Sequence, residues 1–233
     1  MKKAFTMAEV LITLMILGVI ATLTIPALIQ NHQKKSTAVA VKKAYSEILQ
    51  ATQKSIADNG STDGWSANSS MAFFEQYLYP YLQIKSKNSF NDIYPNGWLQ
   101  VSGKKETELS VVKGYGVVYT LNNGMTYTVN IYIENKKARW TSILVDINGK
   151  NPPNKLGRDI FVISAGNTNS NCQIVVPAGT CGTYDGTPID FNRNNIMAKD
   201  NIHNYQCNKN GRGIYCLALI MADGWKIADD YPW

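Results

Sequence analysis

Apolar and polar positions fall into three regimes along this chain, and each predicts a different element. From Val10 to Ile29 no residue is charged, and Val, Leu, Ile, Met and Ala dominate. At about 1.5 Å of rise per residue, a helix of that length covers the roughly 30 Å hydrocarbon core of a bilayer. A buried core helix and a secretory signal core are the alternatives. A signal core is usually about 7–15 residues long and ends at a small-x-small cleavage site. Here the run continues through Ala27-Leu28-Ile29 into Gln30-Asn31-His32, so a retained transmembrane helix is expected over about 8–29.

The second regime has helical period. Val41, Ala44, Tyr45, Ile48, Ala51 and Thr52 recur at three- and four-residue spacing, with Lys42, Lys43, Glu47, Gln50 and Gln53 between them. The helix therefore continues as an amphipathic segment over 30–59 and stops at Asp58-Asn59-Gly60, a left-handed C-cap signal. Pro26 is expected to kink or locally melt it, because proline removes a backbone donor and crowds the preceding turn.

The third regime is β-like. After a loop over 60–70 and a short helix over Met71–Leu82 that stops near Pro80, three segments rich in β-branched and aromatic residues follow: Tyr115–Leu121, Met125–Ile133 and Trp140–Ile147. Asn122-Asn123-Gly124 turns the chain between the first two, and ENKKAR turns it between the second and third. Arg158–Ser164 adds a further strand, and 165–213 is rich in Asn, Gly and Thr. The fold expected is α+β, with a long N-terminal helix and a C-terminal antiparallel sheet domain over 60–233.

Charge and cysteine content refine this picture. The formal net charge is +6, but it is concentrated: residues 1–55 hold seven Lys against only Glu9 and Glu47, whereas the rest is nearly neutral. A neutral domain offers no obvious surface for phosphates, so nucleic acid is not an expected partner. Lys34, Lys35, Lys42 and Lys43, just past the span, suit lipid headgroups or the polar layer of a filament. The four cysteines, Cys172, Cys181, Cys207 and Cys216, follow a C-x8-C spacing twice, which fits neither a zinc knuckle nor a redox motif. Disulfides are expected, which places this region outside the cytoplasm. Three pairings are possible, and the local pairs 172–181 and 207–216 are preferred because short loops close most easily.

One residue is out of place in the first regime. Glu9 puts a carboxylate at the edge of the apolar run, where an isolated charge is expensive. The context is a basic leader, Met1-Lys2-Lys3-Ala4, then Phe5-Thr6-Met7-Ala8-Glu9-Val10-Leu11-Ile12, then the span. This arrangement resembles the signal and N-terminal helix of type IV pilins and type II secretion pseudopilins. The resemblance implies a leader over 1–4, cleavage by prepilin peptidase between Ala4 and Phe5, and N-methylation of Phe5. It also implies a role in assembly for Phe5 and Glu9, and makes Pro26 a helix-weakening proline. The family usually has Gly before the cut, where this chain has the small residue Ala4. A second stretch, VDINGKNPPNKLGRDIF (Val145–Phe161), is similar to one found in the globular part of many pseudopilin-like sequences.

The resemblance implies a structural subunit, held in the inner membrane by a single span with its C-terminal domain periplasmic or extracellular, and then incorporated into a filament. Its partners would be other subunits, the peptidase and an inner-membrane assembly platform. The lysine balance alone favours the reverse orientation; the resemblance and the late cysteines favour this one. The alternative is a membrane-tethered adhesin or ligand-binding module that does not polymerise. Asp146 and Asn148 are weak calcium candidates, since Asp-x-Asn-Gly places oxygens at alternate positions, but it is also an ordinary Asx-turn signal. No cofactor is expected. No catalytic constellation is legible: His203 lies alone outside the helix, with no phosphate loop or nucleophile elbow near it in sequence. Asp185, Asp190 and Asp200 read as solvated loop acids. The C-terminal CLALIMADGWKIADDYPW reads as core or a subunit contact.

Overall fold

A computed structural model describes residues 6–109, 116–134, 136–165, 174–180, 192–198 and 203–233. Helix α1 spans Met7–Asn59. It continues through Pro26 without the expected local melting, because a proline within a long helix forfeits only its own donor while the bonds on either side persist. The chain divides into two compact units, Met1–Ser36 and Thr37–Trp233. The boundary falls inside α1 and not at its end, for a reason visible in burial. From Ala38 onward the stripe Val41, Ala44, Tyr45, Ile48, Ala51, Thr52 and Ser55 is buried in the second unit, which is the 3.6-residue period doing its work.

The second unit is α+β. After α1 come α2 (Ser70–Tyr77), β1 (Ile84–Ser89), α3 (Phe90–Ile93), β2 (Val117–Leu121), β3 (Thr126–Glu134), β4 (Lys137–Asp146), β5 (Ile160–Ala165), β6 (Val175–Pro177), α4 (Arg193–Met197) and α5 (Cys216–Ala222). Among the described residues the strands form a single sheet in the order β1-β2-β3-β4-β5-β6, every neighbour antiparallel. The turn after β2 is the Asn-Gly kind the sequence announces. Gly124 takes a φ of 86°, and Asn123 accepts the Met125 N–H at 3.0 Å. The β3–β4 turn is tighter than expected: both strands extend through most of ENKKAR, pairing Glu134 with Lys137.

One apolar cluster joins α1 to the sheet, to α5 and to an aromatic group made by Phe90, Tyr94 and Trp98. Polar anchors fix the contact: Tyr45 donates its hydroxyl to the Val175 carbonyl at 2.8 Å, and Tyr127 donates to Glu47 at 3.1 Å. The C-terminal stretch is core: Cys216 to Ile220 are buried, Trp225 packs against Tyr45, and the Arg158 guanidinium lies 4.3 Å from the Trp233 ring centre.

Cys207 and Cys216 form a disulfide, as expected from the local spacing; Cys172 and Cys181 lie outside the described residues. Both bridged residues are fully buried. Cys207→Ala/Cys216→Ala is expected to lower the stability of the full chain by about 2–3 kcal/mol, the chain-entropy value for so short a loop. Urea unfolding in detergent micelles reads this directly, and an unchanged midpoint would show the bridge to be energetically idle.

Candidate functional site

The first candidate lies at the start of α1. Ala4 and Phe5 are outside the described residues, but Thr6 and Glu9 are within them. The Glu9 carboxylate accepts the Thr6 N–H and the Thr6 hydroxyl, both at 2.8 Å. The Thr6 hydroxyl oxygen in turn accepts the Glu9 N–H at 3.2 Å. This is a capping box, in which two donors that the first turn would leave orphaned are satisfied reciprocally. The signal that could have found it is local: Thr6-x-x-Glu9 directly ahead of an apolar run is the sequence signature of this motif. One carboxylate oxygen, Oε2, takes both Thr6 donors. Oε1 has no hydrogen bond among the described residues.

Beyond the cap, the first unit is an apolar rod. Leu11, Leu14, Met15, Leu17, Leu23 and Leu28 are each more than half exposed. The few hydroxyls in the run are satisfied by the helix itself: Thr13 donates to the Val10 carbonyl, Thr22 to Val19 and Thr24 to Ile20. Such back-bonding is what an apolar environment requires of a polar side chain. By length and composition α1 can cross a membrane.

The second candidate is the loop from β4 to β5. Asp146 is buried; its Oδ1 accepts the Asn148 N–H at 3.1 Å, and its Oδ2 accepts the Tyr94 hydroxyl at 2.9 Å. Tyr94 also hydrogen bonds with Thr126. Asp159, equally buried, accepts the N–H groups of Asn154 at 2.8 Å and Lys155 at 2.6 Å. Both residues are therefore turn organisers: Asp146 makes an Asx-turn with Asn148, and Asp159 gathers the chain after the two prolines. Burial, and then the neighbouring Asp159 charge, push the Asp146 carboxyl up to about 8, and burial raises Asp159 as well. Among the described residues no group of three or more His, Cys, Asp or Glu is placed to hold a metal ion.

Other sequence candidates separate in space. His203 stacks on Tyr205, with ring centres 5.0 Å apart. Asp185, Asp190 and Asp200 lie outside the described residues. A shallow polar cleft between α1 and the β2–β3 turn, lined by Lys43, Glu47, Lys54, Tyr81 and Asn122, holds no pairing of nucleophile and base. Sequence reasoning missed the buried pair of Arg212 and Glu106, which the exposed Glu108 joins from the surface. Arg212 grips Glu106 through Nε at 3.0 Å and Nη2 at 2.7 Å, and reaches Glu108 through Nη1 at 2.7 Å. No local signal could have paired residues so far apart in the chain.

Comparison with known families decides one point. Residues 27–233 match a family of unknown function, DUF6613. The chain belongs to that family. The match covers the whole second unit and begins near the end of the apolar run, so most of the exposed rod precedes it. No curated protein and no solved structure matches this DUF6613 member.

Proposed function

We propose that this DUF6613 protein is a structural subunit, a pilin or pseudopilin, of a type IV pilus-like or type II secretion filament. One observation carries the reading: a capped carboxylate, Glu9, opens a helix whose first part exposes its apolar side chains while its later part is buried in an α+β unit. The prepilin-like leader, with a cut between Ala4 and Phe5, supports the same reading. Before assembly the span sits in the inner membrane with the C-terminal unit outside the cytoplasm. In the filament, packing against other helices replaces lipid contact, exchanging one apolar environment for another. Specificity then falls to charge and shape. A new amine at Phe5 of one subunit pairs with Glu9 of a neighbour, through the oxygen that the cap leaves available, and neutralises two charges in a low-dielectric setting.

The test combines mass and crosslinking. Protein recovered from membranes containing the peptidase is expected to begin at N-methyl-Phe5, and crosslinking is expected to give a ladder of multimers. Glu9→Gln keeps an oxygen to cap the helix but removes the charge, and is expected to reduce the ladder at least tenfold. An unprocessed Met1 together with monomers indifferent to Glu9→Gln would replace this reading with a tethered adhesin or binding module.

A further inference from the structure

The cleft between α1 and the β2–β3 turn holds no catalytic pair, yet polar side chains line it from both sides. Lys43, Glu47, Gln50 and Lys54 recur at three- and four-residue spacing along one face of α1. Gln83, just before β1, and Asn122, in the β2–β3 turn, complete the lining from the sheet side, and Leu82 and Leu121 add apolar surface. The space is about 260 Å³, somewhat less than the roughly 300–1,000 Å³ of pockets for drug-sized ligands, and suits one sugar ring or a group of similar size. Part of the lining is already engaged. Glu47 accepts the Tyr127 hydroxyl at 3.1 Å and the Asn123 side-chain amide at 3.2 Å, with the Lys43 ammonium 3.8 Å away. Asp58, one turn past Lys54, takes the Tyr81 hydroxyl at 2.8 Å. Among the described residues, four exposed side-chain ends of the cleft are left unengaged: the carboxamides of Gln50, Gln83 and Asn122 and the ammonium of Lys54.

We propose that this cleft binds a saccharide that carries a carboxylate, of the kind a uronic acid unit of an acidic polysaccharide presents. A carboxamide donates and accepts side by side, which matches the neighbouring hydroxyls of a sugar, each of which also does both. The three carboxamides take hydroxyls, and the two leucines take the C–H face of the ring. Lys54, one helical turn or about 6 Å from Gln50 along α1, takes the carboxylate in a charge-assisted hydrogen bond. The charge of the lining agrees: two ammonium groups against the single carboxylate of Glu47 leave one positive charge for one anion. An extended acidic peptide fits less well, because such segments are recognised through backbone donors and acceptors, and those bordering the cleft are engaged. The Asn122 N–H donates to the Gln83 carbonyl at 3.0 Å, and the Leu121 N–H to the Met125 carbonyl at 2.9 Å. The cleft lies wholly within the second unit, so the proposal rests neither on the membrane span nor on filament assembly.

The experiment titrates the full chain, isotope-labelled and held in detergent micelles, with uronate disaccharides of galacto, gluco and manno configuration, each beside its neutral hexose counterpart. NMR reads the side-chain amide signals of Gln50, Gln83 and Asn122. At least one uronate is expected to shift these signals and to bind about two- to fivefold tighter than its neutral counterpart at low salt, the margin of an exposed ion pair. That margin is expected to shrink in high salt. Lys54→Gln is expected to bring the two to equal affinity, and Gln50→Ala/Asn122→Ala to weaken both by roughly tenfold. Lys85, an exposed lysine of β1 outside the cleft, is the control, and Lys85→Gln is expected to leave both affinities unchanged. Failure of every saccharide to move the three amides overturns the proposal. Equal affinity of the native chain for charged and neutral sugars overturns the acidic class, and an equal effect of Lys54→Gln and Lys85→Gln overturns the assignment to the cleft. Tighter binding of a tetra-aspartate peptide than of any uronate at the same amides would put an acidic peptide in the place of the saccharide. None of these outcomes bears on whether Glu9 directs multimers.

Discussion

Replacing Arg212 with Met is expected to destabilise the protein by about 3–5 kcal/mol, the usual cost of removing one partner from a buried ion pair. The Glu106 side chain has no exposed surface and that of Arg212 only 5%. Glu106 also accepts the N–H groups of Glu108 and Leu109, at 2.8 and 3.2 Å. Removing the guanidinium would therefore leave a carboxylate in the interior with only backbone and amide donors. The coupling is specific enough to separate charge from packing. Arg212→Met/Glu106→Gln removes both charges and is expected to regain a good part of the loss, because the uncompensated charge dominates the single variant. Urea midpoints of the full chain in detergent micelles measure both. A single variant within about 1 kcal/mol of the native protein would show that the pair is offset by its own desolvation.

The second large effect is on pH dependence. Asp146 has its carboxyl raised from the ordinary 3.8 to about 8 in the folded protein, first by burial and then by the charge of Asp159. A carboxyl raised on folding binds its proton more tightly in the folded than in the unfolded state. Its contribution is fully present below the unfolded value and is lost as pH rises through the folded one. Stability is thus expected to fall between about pH 4 and pH 8, by on the order of several kcal/mol if Asp146 acts alone. Asp146→Asn keeps the size and a hydrogen-bonding end for the Asn148 N–H and the Tyr94 hydroxyl while removing the titration. It is expected to flatten the slope and to be more stable than the native chain at pH 8. An identical slope in native and variant would show that Asp146 stays ionised in the fold throughout this range.

The elements written in strong local code were legible in the sequence. The helix through Asn59, the Asn-Gly turn and the three central strands appear at their expected places within a few residues, because period, turn chemistry and β-branching all agree there. Five elements were not legible: α4, Arg193–Met197, is one short turn hidden in an Asn-rich stretch, and the other four each have their own reason. The edge strand β1, Ile84-Lys85-Ser86-Lys87-Asn88-Ser89, is polar after its first residue, and lysines at an edge guard against stray pairing without advertising a strand. The three residues of β6 are too few to show a period. Helix α5, Cys216 to Ala222, is apolar throughout and nearly all buried, so it has no polar face to set a 3.6-residue rhythm. The four-residue α3 is too short to signal itself, although the Ser89 hydroxyl caps it by accepting the Asp92 N–H. At the candidate sites, Asp146 and Asn148 stood out as a turn signal. Tyr94 and Asp159, which complete the buried arrangement, could not, because their proximity is created by the pairing of β4 with β5 and by the packing of α3.

The sheet order has a consequence for the sequence of events in folding. Each strand pairs with the one that precedes it in the chain, from β1 to β6 without a crossover. A chain delivered from its N-terminus can therefore add each strand to an edge already in place, with residues 90–116 between β1 and β2 the longest connection to close. The contacts that must wait are few and lie late in the chain. Arg212 reaches back to Glu106, Tyr45 holds the β6 carbonyl, and the 207–216 bridge forms when the last fifth of the chain arrives. Folding ends with a locking step in which the C-terminal region fastens the helix and the first half of the domain together.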